Sequence, residues 1–146
     1  MKAVTLYQPW ASLWALREKR IETRSWFTKY RGPIAIHSSV NFPKWAKELC
    51  HEEPFRSALL RQGISSVKEL PLGAVLGYTE IVDVIRMDDQ NIRSLSSQEL
   101  AFGDYQLGRF MWISKGRQVF KQPVAALGKQ GIWNWELPEG VSYECS

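Results

Sequence analysis

The stretch Lys2-Ala3-Val4-Thr5-Leu6-Tyr7, broken at Gln8-Pro9-Trp10 and followed by Lys19-Arg20-Ile21-Glu22-Thr23-Arg24-Ser25-Trp26, decides the fold class. Its first part alternates and favours β, which predicts an opening strand. Pro9 cannot donate to a ladder but suits a helix start, and Trp10, Leu13 and Trp14 recur at helical spacing to about Glu18. Residues 20–26 alternate again, with Arg20, Glu22, Arg24 and Trp26 on one side. A turn at Arg31-Gly32-Pro33 then feeds the compact strand Ile34–His37. A helix this short cannot cover the face of a doubly wound parallel sheet.

The rest of the chain repeats that rhythm. A helix is expected from Asn41, another from about Glu53 to Gln62 ending at Gly63, and a third over residues 94–101, capped by Ser94 or Ser96 with Glu99 in the capping-box position. Ala74 to Met87 reads as the longest strand, with Gly77 marking a bulge or bend. Arg109–Ser114 and Gln118–Leu127 read as two strands joined by a hairpin at Lys115-Gly116-Arg117, and residues 133–136 as a last short strand. Six or seven strands with short helices between them predict an α+β fold, a small and mostly antiparallel β-barrel forming a single domain over residues 1–146.

Composition narrows the function classes. The chain has 146 residues, 45% hydrophobic and 23% charged, which suits a globular core. No run approaches a membrane span and no leader is read at the N-terminus, so no membrane partner is expected. Cys50 and Cys145 are far apart without metal-ligand spacing, which predicts neither a metal site nor a disulfide and fits the cytoplasm. No cofactor motif is read, and no obligate protein partner is evident. The net charge of +4 is uneven. Residues 1–33 carry seven Lys or Arg against Glu18 and Glu22, a local excess of +5 beside Trp10, Trp14, Trp26 and Tyr30. Cations interleaved with aromatic rings suit phosphate and stacked bases, or form a solvated basic face.

The chemistry centres on Lys19, Glu22 and Arg24. A turn after the first helix can swing the Lys19 ammonium over the opening faced by the other two. In a dry pocket Arg24 opposes a charged Lys19 while Glu22 favours it, so the trio is either a base with its partners or a structural ion-pair network. Gln8 is placed to read a base edge or to make a hydrogen bond at the helix start. Lys129, in Gly128-Lys129-Gln130-Gly131, is a phosphate contact or part of a simple turn. His37 lacks ligand partners and reads as a satisfied interior residue.

Gln8-Pro9-Trp10-Ala11-Ser12-Leu13, Lys19-x-x-Glu22-x-Arg24-Ser25-Trp26, Tyr30-Arg31-Gly32-Pro33 and Ile36-His37 resemble the ASCH-domain family. Gly103-Asp104-Tyr105, Gly108-Arg109-Phe110-x-Trp112 and Gly128-Lys129-Gln130-Gly131-Ile132-Trp133 extend the resemblance over nearly the whole chain. It implies a PUA-like barrel with a cleft for RNA or a modified nucleobase. The family pattern Gly-x-Lys-x-x-Glu-x-Arg meets Arg17 where it has glycine, so the helix is expected to close differently here.

Small members that remove the acyl group from N4-acetylcytidine use a lysine, a threonine and a glutamate. By position the lysine is Lys19; the threonine falls on Glu22, with Thr23 one residue away, and the distal acid on Glu99 or its rival Asp104. The resemblance thus implies Lys19 and a distal acid, Glu99, as catalytic. With no threonine at Glu22, deacylation is expected to run through a water activated by Lys19 and Glu22 while Arg24 holds the developing oxyanion. Substrate contacts are expected from Gln8, Pro9, Trp10, Trp26, Tyr30, Arg31 and Lys129. Two functions stay open: an amidohydrolase acting on N4-acylated cytidine, and a non-catalytic module binding RNA or a modified nucleoside.

Overall fold

In the computed structural model, which describes residues 1–145, the opening alternation becomes β1 (Lys2–Leu6). It buries residues on both faces, Ala3 on one and Val4 and Leu6 on the other, because core lies on both sides of it. α1 (Trp10–Ala15) follows, then β2 (Ile21–Arg24), β3 (Gly32–Ser38), α2 (Lys44–Leu49) and α3 (Phe55–Arg61). A short 3-10 turn at Val67–Glu69 precedes β4 (Ala74–Arg86), and α4 (Asp89–Arg93) and α5 (Ser97–Ala101) lead to β5 (Phe110–Ala125) and β6 (Trp133–Asn134). Among the described residues no helix is long and apolar enough to cross a membrane.

The strands form one six-stranded sheet in the order β2-β5-β4-β3-β1-β6. β1 and β3 are parallel and every other neighbouring pair is antiparallel. The fold is α+β, but the expected barrel is not closed. β2 has only four residues and pairs with β5, while the opposite edge is the two-residue β6, so the two ends never meet in a ladder.

The expected hairpin at Lys115-Gly116-Arg117 is also corrected, since residues 110–125 form one continuous strand. The thirteen residues of β4 pair with both halves of β5, leaving neither half to fold back on the other. The extra length becomes a bulge: Tyr78 pairs with Gln118 and Glu80 with Lys115, and Gly116 at φ 89° takes the left-handed turn that this demands. The register shifts again at Gly77, where a Cβ would stand 2.0 Å from the Gln118 carbonyl oxygen.

Helix boundaries follow local chemistry. α1 stops at Ala15 rather than reaching Glu18, and α2 begins after Pro43 rather than at Asn41. The helix expected over 94–101 is present as α5, starting at Ser97 after the Ser96 cap, and a further short helix, α4, precedes it. α4, not anticipated, is closed by a reciprocal Asp88–Asn91 capping box, and α5 by Ser96, whose hydroxyl accepts from the Glu99 amide at 3.1 Å.

α1 lies on the sheet face built from Val4, Ile34, Ile36, Ile81 and Trp112, and Trp14 is fully buried there. Its other side carries Leu13 into a helical cluster with Phe55, Leu59 and Phe102. α1 is thereby held between sheet and helices, which fixes the corner that follows it. The Gly77→Ala variant is expected to lose about 2–3 kcal/mol, because the added methyl must displace β5 backbone rather than a flexible side chain. A lowered urea midpoint with an unchanged slope would register this.

Candidate functional site

The corner after α1 turns on Arg17, at φ 65° the only described non-glycine residue with a left-handed backbone. The expectation that arginine forces a different closure is overturned, for the backbone takes the conformation that suits glycine. A left-handed residue with a side chain costs about 1–2 kcal/mol. The guanidinium offsets this by donating to Ser114 Oγ at 2.8 Å and to the Ser114 carbonyl at 2.9 Å. Ser114 Oγ also accepts from Trp14 Nε1 at 3.0 Å and donates to the Arg20 carbonyl at 2.6 Å. One serine of β5 thus fastens both sides of the corner. Burial, with Arg20 nearby, draws the Arg17 pKa below its ordinary value.

With the corner fixed, Lys19 turns inward and is only 1% exposed. Its ammonium lies 3.1 Å from Glu22 Oε1 and donates to the Ile21 carbonyl. Arg24 donates from Nε to Glu22 Oε2 at 2.8 Å, and its Nη2 lies 2.8 Å from the same oxygen and donates to the Thr5 carbonyl at 3.1 Å. The Thr23 amide reaches Glu22 Oε1 at 3.2 Å. Burial alone would raise the Glu22 pKa, but the charges of Lys19 and Arg24 and their hydrogen bonds outweigh it and hold the carboxyl below its usual range. Both carboxylate oxygens are occupied.

Beside this trio opens a cavity of about 560 Å³. Glu22 and Arg24 form part of its wall, whereas Lys19 lies behind them. Trp10 and Trp26 line it, joined by Tyr7 and Trp45, which remain 43% and 54% exposed. Trp45 packs on Trp10 at 5.7 Å and against the edge of Tyr7 at 6.3 Å. Trp26 meets the buried Trp112 edge-on at 5.0 Å, and the Arg24 guanidinium sits 5.8 Å from the same ring. Thr23 and the loop after α5 add a hydroxyl and the Asp104 carboxylate to the lining, tied together by the Asp104 amide donating to Thr23 Oγ1 at 3.0 Å. Arg109 also lines the cavity and donates to the Asp104 carbonyl at 2.9 Å.

Other nominated residues lie elsewhere. Gln8 is fully buried; its amide donates to the Pro71 carbonyl at 2.9 Å and accepts from the Ser12 amide at 3.0 Å, which is the helix-start bond rather than base reading. Pro9 is buried at the head of α1. Tyr30 donates its hydroxyl to the Pro33 carbonyl. Arg31 bonds the Thr28 and Tyr30 carbonyls and faces Asp83 at 3.6 Å on the surface. Lys129 is exposed outside the cavity. Its neighbour Gly128 lies so close to the His37 ring that a Cβ would come within 2.7 Å of Cε1.

Glu99 also stands outside the cavity, accepting from the Arg20 amide at 2.6 Å. Its second oxygen and the Tyr105 hydroxyl are buried without partners, and burial together with Glu99 and Glu22 pushes the Tyr105 pKa well up. His37 is satisfied by Thr5 Oγ1 at 3.1 Å and the Ala126 carbonyl at 2.8 Å. Burial draws its pKa down, against the Ala126 bond.

Sequence reasoning did not nominate Tyr7, Trp45 or Arg109. Trp45 lies in the short helix α2, and only its tertiary setting brings its exposed ring to the cavity. Arg109 did have a signal, the Gly108-Arg109-Phe110-x-Trp112 block.

The model of the ASCH domain family matches residues 4–130. Activating signal cointegrator 1 of Homo sapiens and that of Mus musculus are each 29% identical over 132 residues, covering 89% of this chain and 21% of their own length. The chain therefore spans about a fifth of the length of these curated relatives. Among solved structures, that of ASCH from Zymomonas mobilis matches with a TM-score of 0.52 at 12% identity, over 99% of this chain and 87% of that one. A tyrosine-to-phenylalanine mutant of the same Zymomonas mobilis protein gives 0.50 at the same identity, over 99% and 89%. At that identity the likeness shows the fold.

Glu22→Gln is expected to cost about 3–5 kcal/mol at pH 7, because it leaves Lys19 buried without its counter-charge. Since the folded carboxyl titrates below its unfolded value, its stabilisation is full above about pH 4.5 and fades as pH falls towards the folded value. Urea midpoints of wild type and variant should therefore converge on acidification, and a constant gap from pH 7 to pH 3 would refute the charge assignment.

Proposed function

The chain belongs to the ASCH domain family, whose fold is PUA-like, and from that premise we propose that its cavity binds a single unpaired nucleobase, carried by RNA or by a modified nucleoside. One observation supports this most: accessible aromatic rings surround a guanidinium held in place from behind. Trp10, Trp26 and Trp45 offer flat apolar surface at the wall, and base–aromatic stacking contributes about 1–3 kcal/mol per base. Arg24 is fixed by Glu22 and the Thr5 carbonyl, so it meets a base carbonyl or a phosphate without first losing side-chain freedom. Asp104, whose carboxylate also accepts from Gln106 Nε2 at 2.6 Å, supplies a further acceptor at the wall for an exocyclic amine. The volume suits a small ligand.

Binding is favoured over turnover because Glu22 is already engaged at both oxygens and held below the usual carboxylate range. A general base needs a free lone pair and an affinity for protons near the working pH. Lys19, enclosed behind Glu22, does not reach the wall.

A second reading is hydrolysis of an N4-acylated cytidine, and Thr23 with Asp104 at the wall is the observation in its favour. In that reaction a water deprotonated by Asp104 adds to the acyl carbon and the oxyanion faces Arg24. The C–N bond then breaks as the leaving nitrogen takes the proton, giving cytidine and a carboxylate.

Calorimetry and ultraviolet absorbance with cytidine and N4-acetylcytidine separate the two. Binding without spectral conversion, weakened about 10- to 100-fold by Arg24→Gln, is the expected result. Conversion that disappears in Asp104→Asn would establish the hydrolase instead. If neither nucleoside nor short RNA binds, the cavity assignment fails.

A further inference from the structure

Phe27 is half exposed at 50%, although it directly follows the cavity residue Trp26. It packs its edge on Phe110 with ring centroids 5.7 Å apart. Phe110 is the cross-strand partner of Arg24 and follows the cavity residue Arg109. A second aromatic station thus adjoins the cavity without lining it. The chain then alternates in exposure, with Phe27, Lys29 and Arg31 outward and Thr28 and Tyr30 turned in. The inward positions are locked, since Thr28 Oγ1 accepts from the Tyr30 amide at 3.1 Å and the Tyr30 hydroxyl reaches the Pro33 carbonyl. Arg31 is braced on two carbonyls of its own segment and faces the exposed Asp83 carboxylate at 3.6 Å, a solvent-screened pair that a phosphate can displace. One exposed ring is therefore followed by two exposed cations in the segment that continues from the cavity residue Trp26.

We propose that residues 27–31 form an exit track for single-stranded nucleic acid, in which the base next to the cavity-bound one stacks on Phe27 and the following phosphates lie against Lys29 and Arg31. The inference rests on the cavity reading above and extends it: the ligand is a strand rather than a free nucleoside. A solvent-facing phenylalanine beside two cations has the complementarity of a base followed by its phosphates, and Lys29 and Arg31 supply two charges of the +5 excess carried by residues 1–33. A nucleoside held in the cavity alone would leave all three side chains unused.

The test compares the four nucleoside 5′-monophosphates with fluorescein-labelled random-sequence heptamers of RNA and of DNA, for wild type, Phe27→Ala and the Lys29→Glu/Arg31→Glu double variant. Wild type should bind a heptamer at least about 10-fold more tightly than the best monophosphate, the increment of one more stacked base. Phe27→Ala should weaken the heptamer about 5- to 50-fold and leave the monophosphates unchanged. The double variant should flatten the salt dependence of heptamer binding by about 1.4 logarithmic units per decade, as expected for two lost phosphate contacts. Preference for the RNA or the DNA heptamer identifies the sugar, and either supports the track.

Unchanged heptamer affinity in both variants, or displacement of the heptamer by a glutamate heptapeptide at equal concentration, overturns the track. If the monophosphates still bind, only the track has failed. Failure of wild type to bind monophosphates and heptamers alike removes the cavity reading itself, and the track with it.

Discussion

Glu22 is shared between Lys19 and Arg24, and the arrangement of the candidate site depends on that sharing. A buried carboxylate with one counter-charge missing would carry a heavy desolvation penalty, and so would either cation alone. The trio therefore assembles as a unit, which explains why the preceding corner is so firmly held. Arg17 accepts an unfavourable backbone conformation, and Ser114 ties Trp14, Arg17 and the Arg20 carbonyl to β5. Without that fastening, nothing would oblige the Lys19 stem to enter the interior. On the far side, the Thr5 carbonyl receives Arg24 while its hydroxyl serves His37 and Trp133. The ionic centre is continuous with the hydrogen bonding of β1 and β3.

The same arrangement sets the chemistry available at the wall. A carboxylate that satisfies two cations is a good anchor and a poor proton acceptor. What it presents to the cavity is an Arg24 whose position is fixed and whose remaining N–H groups face a space walled by indole rings. Around that fixed point the other walls arrive from distant parts of the chain: the end of β1, the start of α1, α2, and the loop after α5. Shape and one oriented charge dominate, which suits recognition.

Local chemistry was readable where one or two neighbours decide the outcome. The break at Pro9, the Ser96 cap and the irregularity at Gly77 all follow from backbone rules that act over a few residues. The Lys19, Glu22 and Arg24 spacing indicated a charged cluster, but not which member would face the cavity, because that depends on Ser114 nearly a hundred residues away. The open sheet and the unbroken β5 escaped for a related reason: whether Lys115-Gly116-Arg117 turns or bulges is decided by the length of β4. Gln8 and Tyr30 show the limit of motif reading. Both belong to recognisable blocks, yet each spends its polar group on a carbonyl of the scaffold. Tyr7 and Trp45 reach the wall only through tertiary packing, which no local pattern encodes.

The rim and the fastening share no residues. Ser114, Arg17 and Trp14 secure the corner from within, while Tyr7, Trp45 and Asp104 stand at the mouth with much of their surface in solvent. Changes at the mouth therefore alter what fits without disturbing what holds the frame together. A scaffold so divided lends itself to retargeting: libraries confined to those three positions would explore new ligand preferences while the underlying architecture stays intact.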